Sequence, residues 1–286
     1  MAATSTTSPK LAQPYELLEK TKLSPDSYLL RYEIRGRSIL GIKPEIPTCI
    51  KVDYPDGIDA KTGQPKTLSK SYSPVSHPSE EGSFELIVKS YPIQPGGGVG
   101  KYICDMETGK SIIGSLKKER IMHGSPEING RWKYVGLIAG GTGIAPLLQI
   151  ARILLTSDQD TTTKIHLLFI NKGEEDILGR SLIDQMAKDH PEQFFVTYSL
   201  TEDDKRGKYE TGQGTVEMAQ KALPPPSSLG DTMIFVCGKD GFVAHWGGPV
   251  VRGPKKPDGS KGPKIQGSLE GVLKDAGYTA DQVFKY

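Results

Sequence analysis

The chain has 286 residues, room for two domains of ordinary size or one large one. Its 36 basic and 34 acidic residues leave a formal charge of +2, which argues against wholesale nucleic-acid binding, since that calls for a strongly basic face. Cys49, Cys104 and Cys237 are widely spaced with no CxxC pair, which argues against a zinc site or disulfide framework and fits a reducing compartment.

The opening residues, MAATSTTSPK, lack the apolar centre of a signal peptide and contain no Arg. No apolar run approaches the roughly 18 residues that span a bilayer. The expectation is a soluble monomer on the cytoplasmic side. It would reach a membrane only through a partner or an anchor missing from this chain, and a mitochondrial or endoplasmic-reticulum surface is the alternative location. From Tyr15 to Arg131 the chain reads as strands: YELLEKTKLS, SYLLRYEI, TCIKVDY and FELIVKSY are short, rich in Tyr, Ile, Val and Leu, and separated by Pro, Gly and Asp. This predicts an antiparallel β-barrel or sandwich over residues 12–131.

From Trp132 the rhythm changes. WKYVGLIAG reads as a buried strand running through GGTG into APLLQIARILL, whose apolar residues recur at helical spacing. KIHLLFIN, FFVTYSL and DTMIFVCG read as strands, and RSLIDQMAKDH, TVEMAQKAL and SLEGVLKDAG as helices. Such alternation predicts an α/β domain with a parallel sheet over residues 132–286. Gly247 to Lys264 holds too much Gly, Pro and Lys for regular structure, and reads as either a surface loop or a functional one.

Four local patterns bear on chemistry. Ala139 to Pro146 joins a buried strand to a helix through Gly140, Gly141, Thr142 and Gly143. Its glycines admit a ligand close to the backbone, its helix start offers N–H groups to a phosphate, and Pro146 suits a first helical turn. A plain tight turn is the other reading. Lys70-Ser71-Tyr72-Ser73-Pro74 supplies a cation, a phenol and hydroxyls for a pyrophosphate and a planar ring, or is a strand edge with an ordinary turn. In the segment after it, alternation puts Ile87, Lys89 and Tyr91 on one face and Val88 on the other. Pro95 to Tyr102, with Gly98 and Gly100, exposes backbone amides to an anion or forms a hairpin tip. Val236-Cys237-Gly238 ends a strand of a parallel sheet, where ligands bind, so that Cys237 flanks a reacting ring or is a small buried residue.

The order of these patterns resembles the ferredoxin reductase superfamily, and within it the NADH–cytochrome b5 reductases. LIAGGTGIAPLLQIARILL, LLFINKGEEDILGRSLID, LPPP at Leu223 to Pro226 and the ending GYTADQVFKY carry the likeness, which spans nearly the whole chain. The resemblance implies an N-terminal FAD-binding barrel and a nucleotide-binding α/β domain. It further implies hydride transfer from NADH to FAD, then single-electron transfer to a heme protein, cytochrome b5 or one like it. Lys70, Tyr72, Ser73 and Pro74 would form the flavin motif. Ile87, Val88, Lys89 and Tyr91 would line the isoalloxazine and ribityl region, and Gly98, Val99 and Gly100 would hold the phosphates. Thr142 would touch flavin and nicotinamide, Gly140, Gly141, Gly143 and Pro146 would shape the nucleotide pocket, and Cys237, Gly238 and Phe242 would border the nicotinamide. Cys237, Thr142 and Lys89 are the residues expected nearest the chemistry, and no metal is expected.

The chain departs from the family in carrying Lys70 for Arg, Gly100 for Ser, Lys110 for an acidic residue, and Cys237-Gly238-Lys239-Asp240-Gly241 for the usual Cys-Gly-Pro-Pro. Thr201, Glu202, Asp203 and Asp204, followed by Lys205 and Arg206, stand where the family selects its nucleotide; the carboxylates favour NADH, with NADPH the alternative donor. His77-Pro78 is followed by Ser79 rather than Gly-Gly, so a heme belongs to another protein. Other acceptors (a ferric chelate, a quinone or a nitrate-reductase-type partner) and a non-catalytic binding module are the competing readings.

Overall fold

A computed structural model describes residues 11–36, 38–41, 43–58, 63–91, 98–156, 162–202, 209–226, 230–255, 257 and 262–286. The chain divides into two compact units, Met1–Arg120 and Ile121–Tyr286.

In the first unit six strands form one antiparallel sheet: β1 (Gln13–Ser24), β2 (Ser27–Glu33), β3 (Ile50–Ile58), β4 (Pro65–Tyr72), β5 (Ser83–Lys89) and β6 (Ser111–Leu116). Their order is β4-β3-β6-β1-β2-β5. Period-2 patterning sends Tyr15, Leu17, Leu30 and Tyr32 inward, while Arg31 turns out to Glu19, 2.8 Å away. Phe84 of β5 locks this core, edge-on to Tyr15 at 5.2 Å and stacked on Tyr32 at 5.5 Å. Although β4 and β5 are the sheet's two edges, the chain leaving β4 is fastened to β5: Val75 N–H donates to Glu85 C=O at 2.8 Å and Glu85 N–H to Ser76 Oγ at 3.0 Å. The sheet is therefore drawn toward closure, like a barrel. Helix α1 (Val99–Asp105) packs on β3, β4 and β5 and adds Val99, Ile103 and Cys104 to the core.

In the second unit β7 (Tyr134–Gly140), helix α2 (Ile144–Thr156), β8 (Lys164–Asn171), α3 (Arg180–Asp189), β9 (Phe194–Leu200), β10 (Glu210–Thr211), α4 (Val216–Ala222), β11 (Thr232–Cys237) and α5 (Asp240–Gly247) follow in turn. Then come β12 (Val251–Arg252), β13 (Lys264–Ile265), α6 (Gly271–Asp275) and β14 (Val283–Lys285). The sheet is parallel in the order β10-β9-β8-β7-β11-β14. From β7 the chain runs outward one way through β8, β9 and β10, then returns to β7's other side at β11. The topological switch point thus lies between β7 and β11, where open parallel sheets bind ligands. Both faces of the central strands are covered, which is why β7 and β11 are continuous apolar runs rather than alternating ones.

Two features differ from the sequence expectation. The compact units divide between Arg120 and Ile121 rather than at Arg131. Arg131 is what gathers the intervening residues: its guanidinium donates to the carbonyls of Met122 (2.7 Å), His123 (2.9 Å) and Glu127 (3.1 Å) and lies 4.4 Å from the Trp132 ring centroid. No periodicity announces such a knot. Within Gly247 to Lys264, predicted to lack regular structure, β12 and β13 form a short antiparallel ladder, with Val251 opposite Ile265 and Arg252 opposite Lys264. The β-branched pair suits a strand despite the flanking Gly and Pro.

Candidate functional site

Three segments singled out in the first unit converge where β4 and β5 end. Lys70 extends its ammonium between two rings, 5.6 Å from the Tyr72 centroid and 5.2 Å from that of Tyr91. The Tyr72 hydroxyl is buried with no hydrogen-bond partner, and burial, with smaller contributions from Cys104 and Tyr91, holds its pKa well above the phenol value. A buried hydroxyl left unpaired is costly, so its presence points to an acceptor or donor that arrives with a ligand. Gly100 explains how α1 comes so near: a Cβ there would stand 2.6 Å from the Lys89 carbonyl oxygen and 3.7 Å from the Tyr72 hydroxyl. Any side chain there would collide with this backbone. Gly98, Val99 and Gly100 begin the helix against the end of β5.

Ile87 and Val88 are both buried, so the expected alternation gives way where β5 is covered on both faces, and Tyr91 lies beyond the strand's end. The side chains of Val88 and Val99 belong to the core, and what they offer a ligand is backbone. Lys89 is ion-paired with Asp26 at 2.9 Å. Burial works to raise the Asp26 pKa, but hydrogen bonds from Lys89, Ser27 and Ser24 outweigh it and hold the carboxyl below its usual range. Sequence reading missed Asp26, and also Cys49. Burial pushes the Cys49 thiol up, against the pull of the Lys117 and Arg120 charges and of hydrogen bonds with Ser71 and Ser73. Next to α1 an open cavity of ≈ 580 Å³ is bordered by Tyr54, Gly98, Lys101, Tyr102 and Lys110, with Tyr54 and Tyr102 stacked at 4.3 Å.

The second unit assembles its residues at the switch point. β7 ends at Gly140, one 3₁₀ turn spans Gly141–Gly143, and α2 begins at Ile144 with Pro146 in its first turn. Gly143 fits against the end of β11, since a Cβ there would lie 2.2 Å from the Cys237 carbonyl oxygen. Gly140 and Gly238 make room for the Phe242 ring, which would stand 3.0 and 2.5 Å from their Cβ atoms. Gly141, at φ +52°, has nothing within 4 Å of its Cβ position. Thr142 and Cys237 are half-buried beside it, Cys237 in register with Ala139. The turn thus presents open backbone, a hydroxyl and a thiol around one helix start.

Farther along the same strand ends, Glu202 pairs with Lys172 at 2.9 Å, and Arg180 is held by Glu174 at 2.6 Å. Asp203, Asp204, Lys205 and Arg206, the rest of the expected selectivity run, lie outside the described residues. Among the described residues no cluster of potential ligands is suited to a metal ion.

Comparison with known proteins matches residues 14–115 to the oxidoreductase FAD-binding domain and residues 137–246 to the oxidoreductase NAD-binding domain. An NADH-cytochrome b5 reductase-like protein of Arabidopsis thaliana is 31% identical over 272 residues, covering 95% of this chain and 76% of the relative. Human NADH-cytochrome b5 reductase 2 is 30% identical, covering 97% of this chain and 95% of its own. In fold, the chain is similar to the cytochrome b5 reductase domain of Ulva prolifera nitrate reductase, with a TM-score of 0.74 at 23% identity over 98% of each chain.

Proposed function

The chain belongs to the NADH-cytochrome b5 reductase family, and from that premise we propose that it passes electrons from NADH, through FAD, to cytochrome b5 or a heme protein like it. It is an FAD-dependent oxidoreductase with an FAD-binding and an NAD-binding domain. The observation that carries the reading is the buried, unpartnered Tyr72 hydroxyl beside Lys70 and the close-fitting α1, since these residues suit a flavin dinucleotide. Bound FAD accepts two electrons and releases them singly, chemistry that side chains lack.

The protein supplies position and charge. Tyr72 hydrogen-bonds the cofactor through its hydroxyl. Lys70 faces the pyrophosphate as a compact cation, without the bidentate fork of an Arg. Backbone N–H groups from Gly98 to Gly100 complete the phosphate contacts, with Ser73 and Pro74 bordering the ring. Lys89, oriented by Asp26, offsets negative charge that gathers near the flavin. In the second unit the Gly141–Gly143 turn receives the nucleotide phosphates at the start of α2. Thr142 and Cys237 orient the nicotinamide, with Gly238 and Phe242 closing its pocket; no covalent bond to the thiol is needed.

Cytochrome b5 is favoured as acceptor by the names of the relatives and by exposed cations on this chain. Lys110, Lys117 and Lys118 are exposed and would attract an acidic partner. Among the described residues no helix is long and apolar enough to cross a membrane, and we propose that the catalytic unit acts as a monomer. Stopped-flow reduction of cytochrome b5 tests the acceptor. The second-order rate is expected to fall by about tenfold or more as ionic strength rises from low to physiological. A rate independent of salt contradicts steering by these lysines, and faster turnover with a quinone or ferric chelate reassigns the acceptor.

A further inference from the structure

Beyond the β7–β11 switch point, one charged cluster at the ends of β8 and β9 has no part in the functions assigned above. Arg180, the first residue of α3, donates from Nη1 to Glu174 Oε1 at 2.6 Å and to the Tyr209 hydroxyl at 3.0 Å. Its Nε reaches Asp184 Oδ2 at 3.4 Å. The guanidinium also lies over two rings, 5.6 Å from the Tyr198 centroid and 5.8 Å from that of Tyr209. The two phenols tighten the arrangement from outside: Tyr209 donates to Glu174 Oε1 at 2.5 Å and Tyr198 to Asp184 Oδ1 at 2.7 Å. Asp184 from the same helix and groups from three other segments therefore hold one cation in place.

The location gives this cluster meaning. A dinucleotide whose reacting end lies at the switch point extends along the strand ends, and in this order the next ends are those of β8 and β9. Its adenosine ribose comes to the loops after these strands, which carry Glu174, Arg180 and Tyr209. NADPH differs from NADH by a phosphate on that ribose. A guanidinium is the natural receiver of a phosphate through paired hydrogen bonds. Here Arg180 is already engaged by two carboxylates, and Lys172, just after β8, by Glu202. An incoming phosphate dianion meets Glu174 and Asp184 as well as the cation they hold, so the unlike charge is spoken for and the like charge repels.

Resting on the nucleotide-binding reading of this domain, we propose that Glu174 is the residue that sets the preference for NADH over NADPH, by holding Arg180 away from a 2′-phosphate within a network completed by Asp184, Tyr198 and Tyr209. Arg180 is thus a phosphate-binding residue kept closed. The device is an internal ion pair rather than a lone carboxylate aimed at the ribose hydroxyl, which separates it from selection by the run that begins at Thr201.

The test is steady-state kinetics of the flavin-loaded full chain with NADH and NADPH, for the unaltered protein, Glu174→Gln, Arg180→Ala and the double variant. Glu174→Gln is expected to raise the NADPH:NADH ratio of kcat/KM by about tenfold or more, the worth of one freed charge-assisted hydrogen bond, through KM rather than kcat. Arg180→Ala alone lowers the ratio by exposing Glu174, and in the double variant the gain disappears. Should Glu174→Gln fail to retain flavin, Asp184→Asn gives a smaller rise in the same direction through the longer 3.4 Å contact. An unchanged ratio in a flavin-loaded Glu174 or Asp184 variant, or a gain that survives removal of Arg180, overturns the proposal. Inhibition by adenosine phosphates separates it from the reading beneath it. If 5′-AMP does not compete with NADH in the unaltered protein, the nucleotide reading itself fails. If 5′-AMP competes, but 2′,5′-ADP binds Glu174→Gln no more tightly than the unaltered protein, only this inference fails.

Discussion

In the first unit a glycine lets α1 settle on the Lys89 carbonyl next to a buried tyrosine hydroxyl that no protein group satisfies. In the second, the glycines of the GGTG turn and of Cys237-Gly238 are mostly taken up by the protein: Gly143 abuts the Cys237 carbonyl, and Gly140 and Gly238 receive the Phe242 ring. Close backbone packing serves both sites, but it leaves different things open. The first keeps a polar atom waiting for a partner, whereas the second keeps one bare stretch of backbone at Gly141. A glycine-rich turn at a helix start is therefore not by itself a measure of how much ligand it touches; most of this one is needed to join β7, α2 and β11.

The sharpest way to break that comparison is to add a methyl group at each turn glycine. Gly143→Ala drives a Cβ into backbone that cannot retreat and is expected to cost about 3 kcal/mol of stability. Gly141→Ala meets open space and bears only the left-handed backbone penalty, about 1 kcal/mol. Thermal unfolding of the two variants compares them, and equal losses would mean that Gly141 is packed as tightly as its neighbour. Tyr72→Phe probes the first unit. Removing an unsatisfied buried hydroxyl should leave the flavin-free protein no less stable, yet weaken FAD binding about tenfold; equal destabilisation with and without FAD would place the hydroxyl in a protein contact.

Cys237→Ser should lower kcat by about tenfold while changing the KM for NADH little, because a misplaced nicotinamide is still bound. An unchanged kcat would leave the thiol a packing role only. The smallest effect is expected at Asp26. Its pKa is depressed in the folded protein, so its contribution is present above the ordinary carboxylate pKa and is lost as pH falls below it. Asp26→Asn should remove that part of the acid sensitivity, read as a flatter stability profile below about pH 4.

The two units also differ in how plainly the sequence announces them. The second is legible almost element by element because long apolar strands alternate with amphipathic helices. KIHLLFIN coincides with β8 and FFVTYSL with β9. What escapes is short: α5, whose Asp240 and Gly241 look like turn residues, and the three-residue β14, which joins the sheet only by tertiary pairing with β11. In the first unit β4 shows only at its Lys70–Tyr72 end, one reading of which is a strand edge, because PKTLSKSY buries only Tyr72 and leaves no apolar face to detect. Helix α1 is hidden behind glycines that read as a loop, although Gly100 is there to permit helix–strand contact. The residues proposed for the flavin and for the turn stand out in the sequence as types in order. Their partners do not: Asp26 for Lys89 and Cys49 for Ser73 are contacts between distant segments that no local pattern encodes, whereas Glu174 and Asp184, six and four residues from Arg180, are local pairs of a kind that is common on solvated surfaces.

The central claim is that the first unit holds FAD and the second delivers electrons to it from NADH. An anaerobic titration of the purified, FAD-loaded protein with NADH, followed by its visible absorption, tests this most directly. The account predicts a flavin spectrum that bleaches with one equivalent of NADH and returns when oxidised cytochrome b5 is added. A protein that takes up no FAD, or whose flavin stays oxidised in excess NADH, would contradict it.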